Sequence, residues 1–157
     1  MFVLARDDSR YLRPQIDLGR VAADLFDFEG KSFLVTSDYY NDLFELDHLR
    51  STVPVCVIRK LKDYFARYGI PGQLVSDNGS QFMSRDFLKF AKERDFEHLT
   101  SSPHHNKSNG KAESSVKELA KEIFRKCKID GSDVFLALLD HRNTLTVGIQ
   151  VSPAQRL

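Results

Sequence analysis

The sequence predicts one α/β domain, on three observations. Its first part carries apolar, β-branched and aromatic runs joined by short turns, the signature of an antiparallel meander. From Ser51 onward the apolar period lengthens, and helical stripes alternate with short apolar runs. The 157 residues, 41% hydrophobic and 29% charged, are enough for one core of ordinary soluble composition.

Residues 1–19 carry no clean period, and Pro14 and Gly19 interrupt them, so they read as a poorly specified arm ahead of a domain at 20–157. Val21–Phe28 reads as the first strand, Glu29-Gly30-Lys31 as a hairpin turn and Ser32–Tyr40 as the second strand. Asn41-Asp42 turns the chain into a third strand, Leu43–Leu49. Ser51-Thr52 then offers a cap to a helix whose stripe is Val53, Val57, Leu61, Tyr64, Phe65 and Tyr68, stopped by Gly69 and Pro71. A short apolar strand runs into Ser76 and ends at Asp77-Asn78-Gly79, where the chain must turn. Ser84 caps the next helix, whose apolar side is Phe87, Leu88, Phe90 and Ala91. Phe96–Thr100 reads as the fifth strand and Ser101–Gly110 as a polar loop. A long helix from about Lys111 to Lys128 carries Val116, Leu119, Ala120, Ile123, Phe124 and Cys127 as one stripe, and Asp130-Gly131 ends it. Asp133 to about Thr146 reads as a last helix around Val134, Phe135, Leu138 and Leu139, followed by a tail at Gly148–Leu157.

Net charge is +1, which excludes a strongly basic nucleic-acid coat and leaves room for a local basic face. Cys56 and Cys127 stand far apart at apolar positions of helical patterns, so buried reduced thiols are expected, not a disulfide or a zinc site. No apolar run is long enough to span a membrane, and the N-terminal stretch lacks the apolar segment of a signal peptide.

Three carboxylates stand at positions that chemistry could use. Asp24 interrupts an apolar strand and shares a face with Ala22 and Phe26, where a buried charge needs a partner or a metal. On an edge strand it would simply face solvent. Asp77 falls at the carboxyl end of a strand, where open α/β sheets place their sites, although turn aspartates and helix caps occupy such places too. Glu113 precedes Val116 by three residues and Ala120 by seven, so it shares the helical face of the apolar stripe. A first-turn glutamate favoured by the helix dipole is the ordinary account of it. Singly, none is diagnostic. Together they form an ordered trio with thirty-five residues, positions 78 to 112, between the second and the third.

That trio resembles the catalytic core of integrases of retroviruses and gypsy-type long-terminal-repeat retrotransposons. The resemblance extends to Asp24-Leu25-Phe26, the strand Val35 to Tyr40, His48-Leu49-Arg50-Ser51-Thr52, Gly69-Ile70-Pro71, Ser76-Asp77-Asn78-Gly79 and Ser108-Asn109-Gly110-Lys111-Ala112-Glu113. It continues through Ala137–Thr144 and Ser152–Leu157, and so covers about residue 20 to the end. The chain departs from the family's pattern in having no tryptophan, and in Ser80 where many relatives have proline. Neither a zinc module before the core nor a basic domain after it is recognisable, so the chain reads as an isolated core, from a polyprotein or a domesticated copy.

The resemblance implies a ribonuclease H-like fold, with a five-stranded mixed sheet in the order 3-2-1-4-5 flanked by helices. It implies that Asp24, Asp77 and Glu113 bind two Mg²⁺ or Mn²⁺ ions and catalyse 3′-end processing and strand transfer of element DNA into target DNA. Two hard cations about 4 Å apart suit that in-line chemistry. By family position Asn78 and Ser80 would touch target DNA, Lys117 would meet a phosphate near the reactive end, and Lys111 and Lys121 would extend the basic edge. Each lysine is equally a solvated helix residue. Ser101–Gly110 would be a mobile loop with Asn109-Gly110 as its flexible joint. A homodimer or higher oligomer acting on DNA in the nucleus, with no membrane association, completes the expectation. A silent core serving as a nucleic-acid- or protein-binding module is the alternative, and a ribonuclease cutting RNA–DNA hybrids a third reading.

Overall fold

The structure, a computed structural model, describes residues 19–40, 44–101 and 107–143, without the side chains of 107–115, 142 and 143. The arm at 1–18, the Asn41-Asp42 turn with Leu43, the loop residues 102–106 (His104 and His105 among them) and the tail from 144 lie outside the described residues. The elements follow in the order β1 (Arg20–Phe28), β2 (Lys31–Asp38), β3 (Phe44–Leu49), α1 (Pro54–Tyr68), β4 (Gln73–Ser76), α2 (Arg85–Arg94), β5 (Glu97–Thr100), α3 (Lys107–Asp130) and α4 (Val134–Asn143). That is the expected order. The sheet runs β3-β2-β1-β4-β5, as the resemblance implies, with β1 at its centre.

β1 and β2 pair antiparallel from Val21↔Asp38 to Phe28↔Lys31, and β2 pairs antiparallel with β3. Only Glu29 and Gly30 form the turn, both at positive φ (51° and 73°), which suits the twist of a two-residue hairpin. Lys31 belongs to the strand. β4 lies parallel to β1 and to β5, each joined through a helix, as parallel neighbours require.

Period two along β1 sorts its side chains between two helical layers. Val21, Ala23 and Leu25 join Leu34, Leu49 and Leu74 beneath α1 and α2, which contribute Val57, Leu61, Tyr64, Phe65, Phe87 and Phe90. Phe26 and Phe28 face the other way, against Val116, Ala120, Ile123 and Phe124 of α3. Asp24 has the parity of Phe26. It therefore stands on the α3 side of a central strand, not on a solvent-facing edge.

Several local expectations are corrected. α1 takes Val53 as its N-cap, without a side-chain bond, because Pro54 at the first turn forces its predecessor into extended backbone (ψ 149°). Ser51 Oγ instead accepts the Val53 N–H at 3.3 Å, and Val53 is exposed. Leu88 is exposed because it stands two residues from the buried Phe90, on the opposite side of α2. Phe135 and Leu139 are exposed as well, since α4 adds Leu138 to the core next to α3 and turns the rest outward. Cys56 is only half-buried, whereas Cys127 is buried, and both are free thiols. α3 begins at Lys107, so Asn109-Gly110 lie in helix, not in a loop joint. Once its apolar stripe has nucleated a helix, each added residue gains a bond, which carries it past two weak formers.

Candidate catalytic carboxylate site

Asp77 directly follows β4. The β1–β4 ladder pairs Ala22 with Val75, and continuing that register by two residues sets Asp24 beside Asp77. Neighbouring strands lie about 4.8 Å apart, so the register brings two acidic side chains of the same parity near one another at the carboxyl end of β4. Each repels the charge of the other.

Their environments differ. Asp24 is largely buried, its side chain 21% exposed, and burial lifts its carboxyl above the usual carboxylate range. The Lys117 ammonium, 3.2 Å from Asp24 Oδ2, and the Leu25 N–H, 2.8 Å from Oδ1, oppose that lift, while the charge of Asp77 adds to it. Asp77 is exposed, and its Oδ1 accepts the Gly79 N–H at 2.8 Å. Gly79 is needed for this closeness: a Cβ there would lie 2.8 Å from Asp77 Oδ1 and from Gln81 Oε1. Asn78 and Ser80 are exposed on the same turn. Ser84 then opens α2, its Oγ accepting the Phe87 N–H at 3.1 Å, as expected of a cap.

Beneath Asp77 lies a pair that sequence reasoning missed. Ser76 Oγ lies 2.7 Å from His98 Nε2 and 2.9 Å from the Asp77 carbonyl oxygen. Both contacts are satisfied when Nε2–H donates to the hydroxyl and the hydroxyl donates to the carbonyl. Burial against Phe87 and Phe82 lowers the pKa of His98 below the ordinary imidazole range, which keeps it neutral. Ser101 N–H and Oγ–H add bonds to the Ser76 carbonyl at 2.8 and 3.2 Å. The available signal was parity, because His98 shares the inward face of its strand with Phe96.

Glu113 and Lys111 lie on the backbone of α3, Glu113 one turn before Lys117, and their side chains lie outside the described residues. Lys117 reaches Asp24, a contact the sequence did not reveal. Lys121 pairs within its own helix, 3.2 Å from Glu118 Oε1. Among the described residues no three His, Cys, Asp or Glu side chains gather into one cluster. Asp24 and Asp77 form an all-oxygen, anionic pair, a donor chemistry that suits hard divalent cations. Among the described residues no helix is long and apolar enough to cross a membrane.

No protein-family model matches the chain. An uncharacterized protein of Caenorhabditis elegans is 35% identical over 103 residues, 66% of this chain and 8% of that protein. The Pro-Pol polyprotein of Feline foamy virus is 39% identical over 62 residues, 40% of this chain and 5% of the polyprotein. The chain thus spans a small fraction of the length of these curated relatives. Among solved structures, the catalytic core domain of BIV integrase superposes with a TM-score of 0.71 at 20% identity, covering 87% of this chain and 91% of that one. The fold is therefore the ribonuclease H-like fold of an integrase catalytic core, and the resemblance read from the sequence holds.

Proposed function

We propose that this chain is the catalytic core of an integrase of the retroviral and gypsy-type retrotransposon class, a polynucleotidyl transferase acting on DNA. The observation that carries the reading is the β1–β4 register, which sets Asp77, just past the end of β4, beside Asp24 on the face of β1 that α3 covers. Asp24, Asp77 and Glu113 would hold two Mg²⁺ or Mn²⁺ ions, which supply an activated oxygen nucleophile and charge neutralisation at the scissile phosphate. The residues around them do the rest. The Gly79 N–H orients the Asp77 carboxylate, and the Ser76–His98 pair fixes the backbone that carries it. Asn78, Ser80, Lys111, Lys117 and Lys121 would line the path of element ends and target DNA.

3′-end processing and strand transfer are the finer reactions of this reading, with the nucleus as their place. Association into a homodimer or higher oligomer belongs to it too, and exposed Phe135, Leu136 and Leu139 on α4 offer apolar surface for it. A silent binding module draws support from the net charge of +1, low for a DNA enzyme. Incubating the chain with branched DNA and Mn²⁺ separates the two. Metal-dependent strand cleavage or rejoining, lost in Asp77→Asn, is the expected result. Salt-sensitive DNA binding with no such reaction would leave the module.

A further inference from the structure

Asp24 has both oxygens engaged: Oδ1 by the Leu25 N–H at 2.8 Å, Oδ2 by the Lys117 ammonium at 3.2 Å. The side chains of the pair are 21% and 27% exposed, so their attraction is screened less than that of a surface bridge. The lysine has a clear task, since a carboxylate in the middle of a central strand is expensive without a counter-charge. Asp77, the neighbouring charge, is also negative and cannot provide it.

The same ammonium opposes any second cation. A divalent ion on the Asp24 carboxylate and an ammonium 3.2 Å from Oδ2 would be like charges competing for the same oxygens. Lys117 can yield, because its charge sits on a flexible four-carbon stem that is already partly exposed. We propose that Lys117 is the resident counter-ion of Asp24 and is exchanged for the divalent cation, so that metal loading releases its ammonium to solvent. This rests on the metal-site reading above. It makes Lys117 a positioning and gating residue of the site: it neutralises Asp24 before loading and withdraws from it after loading.

Calorimetric titration of the chain with Mn²⁺, beside Lys117→Gln, tests the exchange. Removing one opposing charge from a partly shielded site is expected to tighten Mn²⁺ binding on the order of tenfold. Unchanged or weaker binding by the variant overturns the exchange and leaves the metal site standing. No Mn²⁺ binding by the unaltered chain overturns the metal site, and the exchange with it. A second measurement needs no variant. The side-chain resonances of Lys117, followed by NMR as Mg²⁺ is added, are expected to move to those of a solvated lysine as Mg²⁺ approaches saturation. Resonances that stay in place at saturating Mg²⁺ overturn the proposal.

Discussion

The Asp24 carboxyl, lifted above its ordinary value of 3.8 chiefly by burial, holds a proton in the folded chain at pH values where the unfolded chain has already lost it. Over that window the native state binds more protons, so stability falls as pH rises from 3.8 through the folded pKa. Asp24→Asn removes the liability. With a chelator present, urea denaturation should show the variant gaining on the parent as pH rises through that window, while calorimetry shows its Mn²⁺ binding lost. A variant without this relative gain would refute burial as the dominant influence on Asp24. Gly79 acts on the other carboxylate. An alanine Cβ would meet Asp77 Oδ1 at 2.8 Å, so Gly79→Ala should turn that carboxylate aside and break its bond to the backbone. The turn is at the surface and Gln81 can swing away, so the effect on unfolding should stay within about 0.5–1 kcal/mol. Metal affinity should fall by roughly the worth of one oriented ligand, about tenfold. Equal losses in stability and affinity would mean that Gly79 serves the fold alone.

At the scale of elements, the site depends on how closely α3 lies on β1. Ala120 is fully buried between them, one turn beyond Lys117 on the same helix, so a larger side chain has no room. Ala120→Leu should cost about 1–3 kcal/mol by overpacking. It should also lift the helix enough to weaken the Lys117–Asp24 contact and Mn²⁺ binding, with every carboxylate still present. Stability lost at full metal affinity would show that the helix rides independently of the site. The elements were largely legible because strands and helices write their burial into sequence with periods of two and 3.6. Parity put Asp24 with Phe26, and the turn after β4 located Asp77. Local pattern gave way where a single residue overrode it, as Pro54 did by moving the α1 cap to Val53. It also gave way where partners lie far apart in the chain. Neither Ser76 with His98 nor Asp24 with Lys117 has a local signature, since each pair meets only when the sheet and α3 assemble.

At the scale of the whole molecule, two imidazoles among the described residues contribute to the response to acid. His98, packed against Phe87, and His141, packed against Phe44, are both held below the ordinary value of 6.5 by burial. They belong to opposite helical layers, one beneath α2 and the other on α4. As pH drops below 6.5 the unfolded chain gains two protons that the folded chain refuses, so stability declines with acidity from both sides of the sheet. The slope is bounded at about 1.4 kcal/mol per pH unit for each imidazole. Asp24 and Asp47, both raised chiefly by burial, act in the opposite sense as acidity increases, in a window that begins at their folded pKa values and ends at 3.8. The expected profile therefore loses stability below pH 6.5 and flattens as the carboxylates take up protons. Denaturation midpoints measured in chelator from pH 7.5 to 5 should show that acid limb in the parent. His98→Gln, which retains an amide able to donate to Ser76 Oγ, should make it shallower. His141→Gln should shallow it further, and the double variant should have the smallest acid limb of the four proteins. An acid limb that survives both substitutions undiminished would place the sensitive groups elsewhere and leave the Ser76–His98 bond as geometry without a pH signature.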